Sequence, residues 1–501
     1  MNMLRKIRII LAAVFFAGLT LLFLDFTGTL HHWLGFMAKV QFWPAVLTLN
    51  VAVVAALVVL TLVVGRIYCS VVCPLGVMQD LFGWMGKKAR KNRYTYSKEV
   101  KWLRYAVLAV FIVALLAGVG SVFQLLEPYS AFGRIATMLL QPLWQIGNNV
   151  LASIAERYDS YAFYSVDVWM RSVPVFVIAL VTLVVLMVLA WRGGRTYCNT
   201  VCPVGTVLSF LARFSLFRIR FDADKCKGCS LCTKNCKASC IDFKNHTVDY
   251  SRCVVCGDCL ESCKFGALSL SRPTPSSPTP GGGASGDGAS RRSFLLATAL
   301  ATTAALAQEK KKVDGGLAEL VGKKTPERQT PVVPPGALSL KNMARHCTGC
   351  QLCVSECPNH VLRPTLLTPG SSLLTGFMQP VMDFDRGYCR PECTRCSDVC
   401  PTGAIRPLDE VEKSSIQTGH AVVSPNHCIS ALGEVECGNC ARHCPVGAIE
   451  MVPTAPDDDL SPSVPAVNEA ACIGCGACEY LCPVRPLSAI HVEGHEVHRY
   501  L

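Results

Sequence analysis

Cysteine spacing is the strongest chemical signal in this chain. Twenty-four of its 29 cysteines form six quartets. They are Cys226, Cys229, Cys232 and Cys236; Cys253, Cys256, Cys259 and Cys263; Cys347, Cys350, Cys353 and Cys357; Cys389, Cys393, Cys396 and Cys400; Cys428, Cys437, Cys440 and Cys444; and Cys472, Cys475, Cys478 and Cys482. Four quartets read C-x2-C-x2-C-x3-C, and the other two stretch only the first gap, after Cys389 and after Cys428. Three close thiolates on a tight loop cap three irons of one cubane, while the fourth turns away to the other cluster of a pair. Pro358, Pro401, Pro445 and Pro483 follow the fourth cysteine and turn the chain out of a helix. The spacing predicts six 4Fe–4S clusters. Zinc prefers two C-x2-C knuckles with a longer spacer, and disulfides do not account for six copies of one cluster spacing.

In the first pair of quartets, Cys226, Cys229 and Cys232 should share a cluster with Cys263, and Cys253, Cys256 and Cys259 with Cys236. For the last four quartets, sequential and nested pairing both fit. Four more cysteines lie in a repeat: Gly65-Arg66-Ile67-Tyr68-Cys69-x3-Cys73-Pro74-Leu75-Gly76 returns as Gly194-Arg195-Thr196-Tyr197-Cys198-x3-Cys202-Pro203-Val204-Gly205. If each copy is helical, i and i+4 put both thiols on one face. Cys69, Cys73, Cys198 and Cys202 then either converge on an additional metal centre or form structural or partner-docking turns with reduced thiols. Arg66 and Arg195 are at least topological anchors. Cys240 is left over.

Other residues carry weaker signals. Glu127-Pro128 ends an apolar segment, and Glu127 is the best-placed proton acceptor for a quinol site, or else an interfacial helix end. His31 and His32 read as loop residues. Lys237 and Lys264 stand where proline follows the fourth cysteine elsewhere, and either raise cluster potentials or keep the module soluble. There is no C-x-x-C-H for covalent haem and no dinucleotide fingerprint.

Hydrophobic residues make up 51% of the chain and charged residues 17%, against about 25% charged in ordinary soluble proteins. Four apolar stretches, near 8–25, 46–65, 103–124 and 172–191, approach the roughly 20 residues a bilayer needs. A mixed segment at 136–155 reads as interfacial or re-entrant. Lysine and arginine placement puts the N-terminus, the loop after the second span and residues 192–270 in the cytoplasm. Residues 1–307 hold 31 Lys and Arg against 14 Asp and Glu, a net +17; residues 308–501 hold 17 against 22, a net −5. The basic excess is a topology signal, and no nucleic-acid partner is expected.

Residues 271–290 form a Pro/Gly/Ser linker. Ser290-Arg291-Arg292-Ser293-Phe294-Leu295-Leu296, a short apolar run and Ala305-Leu306-Ala307 follow in the order of a twin-arginine export signal; a weak fifth helix or tether is the alternative. The fold class is thus a membrane α-helical domain of four transmembrane helices plus α+β ferredoxin-like polyferredoxin modules. The units are 1–215, the transmembrane domain; 216–270, a two-cluster module; 271–307, the linker and signal-like segment; 308–345, a second linker; and 346–501, a four-cluster domain. Residues 308–501 are expected in the periplasm and the whole chain in the inner membrane as a multi-pass protein.

The four spans, the two G-R-x-Y-C-x3-C-P repeats, Leu126-Glu127-Pro128 and the two-cluster module together resemble the NapH-type ferredoxin quinol dehydrogenases. The part with the twin-arginine motif and four quartets resembles the periplasmic NapG/MauM-type ferredoxins, so the whole looks like a fusion of the two. The resemblance implies quinol dehydrogenase activity: electrons pass from the membrane quinone pool, with quinol as diffusible substrate, through the clusters to a periplasmic redox protein or reductase. An accessory reductase that matures a metalloenzyme, or an iron–sulfur redox sensor, are the alternatives. Cys240 and the missing prolines after Cys236 and Cys263 depart from the pattern.

Overall fold

The computed structural model describes residues 2–90, 94–272, 321–366, 376–455 and 461–501. The Arg291-Arg292 motif and nearly all of the 271–307 segment lie outside the described residues. The chain is mostly helical, and the described strands pair into five two-stranded antiparallel sheets.

Among the described residues two helices are long and apolar enough to cross a membrane, Met3–Leu24 and Val173–Gly193. The four expected spans are therefore corrected to two of full length. The second apolar stretch is broken into Phe42–Leu47 and Val51–Val64, because Leu49 takes a positive φ and Asn50 caps a new helix, its side chain accepting from the Val53 N–H at 3.2 Å. Fourteen helical residues rise only about 21 Å, short of a hydrocarbon core of about 30 Å. The third is broken into Lys101–Leu116 and Gly120–Leu126 by Gly118, at φ +71°. Hydropathy averages over such breaks and does not register them.

The 136–155 segment continues a wholly buried helix, Pro128–Ile135, through a π-turn at Ala136–Leu140 into the Gln141–Glu156 helix. Its polar residues are spent on protein. Asn149 exchanges hydrogen bonds of 2.8 Å with the Val166 backbone, and Gln141 donates to the Ser355 carbonyl at 3.2 Å.

The two-cluster module is a pair of antiparallel ladders, Arg218–Phe221 with Leu268–Ser271 and Ile241–Asp242 with Thr247–Val248. Two short helices accompany them, Leu231–Asn235 and Asp258–Ser262, each entered through a left-handed residue, Ser230 and Gly257. The C-terminal module repeats this plan with helices Leu352–Glu356, Arg395–Val399, Asn439–Arg442 and Ala477–Leu481. Its longest ladder pairs Ile416–Val423 with Ile490–Tyr500. Residues 321–345, expected as linker, are instead packed into this module. Val332, Val333 and Ala337 are buried, and Arg328 pairs with the buried Glu479 at 2.6 Å.

The modules meet opposite ends of the first helix. Arg5 binds Asp258 at 3.0 Å in the two-cluster module. At the other end Phe23 packs on Tyr129 and Phe132, and a Cβ on Gly28 would meet the Arg395 guanidinium of the C-terminal module at 2.8 Å. The 23 residues of that helix span about 35 Å at 1.5 Å each.

The last strand carries a pH liability. Neither ring nitrogen of the buried His498 has a partner, and burial, then His495, lower its pKa to about 4. The neutral form is favoured in the folded state. Its stabilisation is complete above about pH 6.5 and declines as pH falls toward 4, by up to roughly 3 kcal/mol. His498→Leu should flatten that part of the thermal-stability profile between pH 7 and 4.5; an unchanged slope would count against this assignment.

Candidate functional site

Four of the six cysteine loops wrap small cavities. Cys226, Cys229, Cys232 and Cys263 line one. Cys357, Cys389, Cys393 and Cys396 line a second, Cys428, Cys437, Cys440 and Cys482 a third, and Cys444, Cys472, Cys475 and Cys478 a fourth. Cys347, Cys350 and Cys353 lie within electrostatic reach of Cys400, and Cys259 within reach of Cys236, Cys253 and Cys256. The exchange of the fourth cysteine holds in all three pairs, and the last four quartets group sequentially. Among the described residues no three His, Cys, Asp or Glu side chains close on a point as a single ion requires.

The loops are built to hold negative charge. Gly228, at φ +67°, donates its N–H toward Cys226 Sγ at 3.5 Å, and Gly349, at φ +64°, does the same to Cys347 at 3.4 Å. Ile405 and Ala448 donate to Cys400 and Cys444 at 3.4 and 3.2 Å. Hydrogen bonds to sulfur and burial are the levers that set cluster potentials. Burial pushes the Cys256 thiol up to about 12 and the Cys389 thiol up to about 11, with Lys413 pulling the latter back. Thiols this reluctant to ionise bind iron only by giving up their protons to it. Four thiols, backbone donors and apolar walls fit a cubane.

Lys413 supplies near Cys389 the positive charge that sequence reasoning sought at Lys237 and Lys264. It donates to the Cys393 carbonyl at 2.5 Å, and it escaped notice because it lies beyond its quartet in sequence. Lys237 is occupied elsewhere: its Nζ binds Asp80 at 2.7 Å and Asp258 at 3.4 Å, and its carbonyl accepts from the Arg195 N–H at 2.8 Å. It fastens the module to the membrane domain. Lys264 is exposed. Cys240 is buried 3.5 Å from Cys236 Sγ, and the hydrogen bond between them lowers the Cys236 thiol.

The two repeats interlock. Arg66 of the first copy reaches the Cys198 carbonyl of the second at 3.1 Å, and Arg195 of the second reaches the Cys69 carbonyl of the first at 2.5 Å. Gly76 and Gly205 make room for this. A Cβ on either would sit 2.3 Å from the Cys69 or Cys198 carbonyl, and at Gly205 also 2.7 Å from Arg66. All four thiols are buried, and Cys202 lies within electrostatic reach of the other three. Symmetry breaks at the salt bridge. Arg195 is clamped by both Asp80 oxygens at 2.7 and 2.8 Å, whereas Arg66 takes Asn199 Oδ1 at 3.0 Å and the Ser251 carbonyl at 2.9 Å. Burial would raise the Asp80 carboxyl, but Arg195 and Lys237 hold it well below the usual range. Gly205→Ala should therefore destabilise the membrane domain by about 1–3 kcal/mol through overpacking, read as a lower melting temperature in detergent; an unchanged value would contradict the interlock.

The four repeat thiols lie near contacts with both modules. On one side, Arg66 Nη2 lies 3.9 Å from Cys69 Sγ while Nη1 binds Ser251, two residues before Cys253. On the other, Tyr197 beside Cys198 donates to the Leu126 carbonyl at 3.0 Å, and Gln124 donates to the Cys347 carbonyl at 3.2 Å. Glu127 sits at this second contact. It is buried, caps the Pro128–Ile135 helix by accepting from Ser130, and lies within electrostatic reach of both Cys73 and Cys350. It lines none of the cavities described above. His31 lowers toward its neutral form through burial, then Lys39, and His32 is exposed.

Comparison with known proteins finds iron–sulfur domains along the same stretches of chain. A 4Fe–4S binding domain model matches residues 46–93 and 174–222, the two stretches that carry the repeat. A 4Fe–4S dicluster domain model matches 346–404 and 435–485, and another matches 249–361, across quartets that the structure places in different modules. The chain is 31% identical over 173 residues to the methylamine utilization ferredoxin-type protein MauM of Paracoccus denitrificans, covering 33% of this chain and 73% of that one. It is 31% identical over 154 residues to the ferredoxin-type protein NapG of Escherichia coli, covering 30% and 64%. It is also 24% identical over 239 residues to the putative electron transport protein YccM of Escherichia coli, covering 46% and 58%. A fusion with a NapH-type protein is not established by these matches. The chain belongs to the multi-cluster ferredoxin-type iron–sulfur electron-transfer proteins related to MauM, NapG and YccM.

Proposed function

We propose that this protein draws electrons from membrane quinol and passes them across the bilayer to a periplasmic redox partner. The observation that carries the reading is the position of Cys69, Cys73, Cys198 and Cys202. All four are buried; Arg66 links Cys69 to Ser251 of the two-cluster module, and Tyr197, next to Cys198, binds Leu126, two residues from the Gln124 that donates to Cys347 of the C-terminal module. Modules at opposite ends of a membrane-length helix need an intermediate carrier, and in this reading these thiols form the cage that occupies the gap. Bound clusters supply one-electron transfer; the protein's own part is to hold thiolates, exclude water and set charge around them.

The two-cluster module faces the cytoplasm in this reading, and the C-terminal module the periplasm. The basic loops of the membrane domain and the Arg291-Arg292 motif support that orientation. Export in the folded, metallated state suits a module whose thiols must not meet an oxidising compartment bare. Six cubanes account for about 24 irons per chain, and the repeat cage adds to that number. Anaerobically purified full-length protein should contain more than 24 irons and become reduced on addition of a quinol analogue. Full iron with no reduction by quinol would refute the quinol reading, and stoichiometric zinc would refute the clusters.

A further inference from the structure

A cavity of about 600 Å³ lies between the first helix, the Pro74–Arg90 helix and the two-cluster module. That volume is in the range of sites for small organic ligands. Ile9, Ala12 and Phe16 form one apolar wall, and Val77, Leu81 and Trp84 form the other. Both walls come from helices at the membrane edge, so an apolar tail has a way in from the bilayer.

The polar end holds two unsatisfied buried groups. Gln79, 1% exposed, has an Oε1 without a partner, and Arg8, 9% exposed, has a free Nε–H. Buried polar atoms are rarely left unpaired in folded proteins. The two atoms ask for a ligand with one hydroxyl to donate and one oxygen to accept. The three carboxylates of the lining are all paired, and Lys87 at the exposed rim binds the Asn235 amide. Asp80 binds Arg195 and Lys237, while Asp258 and Glu261 bind Arg5.

The cavity also adjoins the repeat cysteines and the cluster loop at Cys256. Gln79 Nε2 donates to Cys198 Sγ at 3.3 Å. Tyr94 and Asp258, on the facing wall, lie within electrostatic reach of Cys256. We infer that this cavity is the quinol-binding site, with the headgroup held by Gln79 Oε1 and Arg8 Nε and the isoprenoid tail running between the two helices toward lipid. The inference rests on the quinol reading above, but it moves the site from Glu127 to the opposite end of the first helix.

The test uses the full-length protein in detergent and a photoreactive azidoquinone with a short prenyl tail. Labelling should fall on residues 5–16 and 77–87 and be competed by unlabelled quinone. Ala12→Trp should weaken it at least about tenfold while leaving iron content unchanged; Ala13→Phe, on the more exposed flank, serves if the first variant loses iron. Labelling confined to the Glu127 region, with quinol still reducing the clusters, would overturn this site and leave the quinol reading standing. Absent labelling together with no reduction by quinol would remove both. Displacement of the azidoquinone by an anionic phospholipid but not by quinone would overturn the site in favour of a lipid.

Discussion

Cys198→Ser is expected to cut electron flow between the modules while leaving both modules intact. Cys198 is buried between Arg66, Arg195 and Gln79, and serine is a poor substitute for a thiolate ligand. About 24 irons, those of the six cubanes at four each, should remain, and the iron of the repeat cage should be lost. Quinol should then still reduce the two-cluster module. Reduction of the C-terminal clusters should slow by at least about tenfold, equivalent to about 1.4 kcal/mol in the barrier. Cys69→Ser, Cys73→Ser and Cys202→Ser should give the same defect, and pairing any two should add little, because residues acting as one unit are not additive. Additive, separate defects would instead identify two structural turns.

The second large effect is expected at Gly133. This residue lies in the buried Pro128–Ile135 helix with the C-terminal module directly against it. An added Cβ would stand 2.2 Å from the Cys350 carbonyl and 2.9 Å from Phe23. Neither is a flexible chain end, so Gly133→Leu must push the module away. Overpacking of this kind costs about 1–3 kcal/mol, enough to expose the interface to protease and to slow C-terminal reduction roughly tenfold or more. Gly147→Ala is the control. Nothing lies within 4 Å of its Cβ, and alanine in a helix interior is worth about 0.5–1 kcal/mol more than glycine. Equal behaviour of the two variants would show that the modules do not dock as described.

The cysteine loops were legible because cluster binding is local: three thiolates must sit within a few residues of each other. The exchange of Cys236 and Cys263 was legible for the same reason. The grouping of the last four quartets was not, since sequential and nested pairing share one spacing and differ only in long-range contacts. Hydropathy found the four apolar stretches but not the breaks at Leu49 and Gly118, which come from single residues with positive φ. The repeat drew attention to Arg66 and Arg195 without revealing that each arginine crosses to the other copy. That exchange has a sequence trace in Gly76 and Gly205, at matching positions, where only a missing Cβ lets the guanidinium in. Asp80 left no trace, because Ser209 stands at its counterpart and one carboxylate on an amphipathic helix reads as a solvated face. Lys237 was seen but assigned to cluster potential, since its partner Asp80 is 157 residues away. Packing of residues 321–345 was hidden by their proline content.

The most direct measurement is freeze-quench EPR of the full-length protein after mixing with a quinol analogue, comparing wild type with Cys198→Ser. In wild type, signals of the C-terminal clusters, identified by their loss in Cys350→Ser, should follow those of the two-cluster module, identified by their loss in Cys229→Ser. In Cys198→Ser only the two-cluster signals should appear on the same timescale. C-terminal signals arising in Cys198→Ser at the wild-type rate would contradict the relay through the repeat cage.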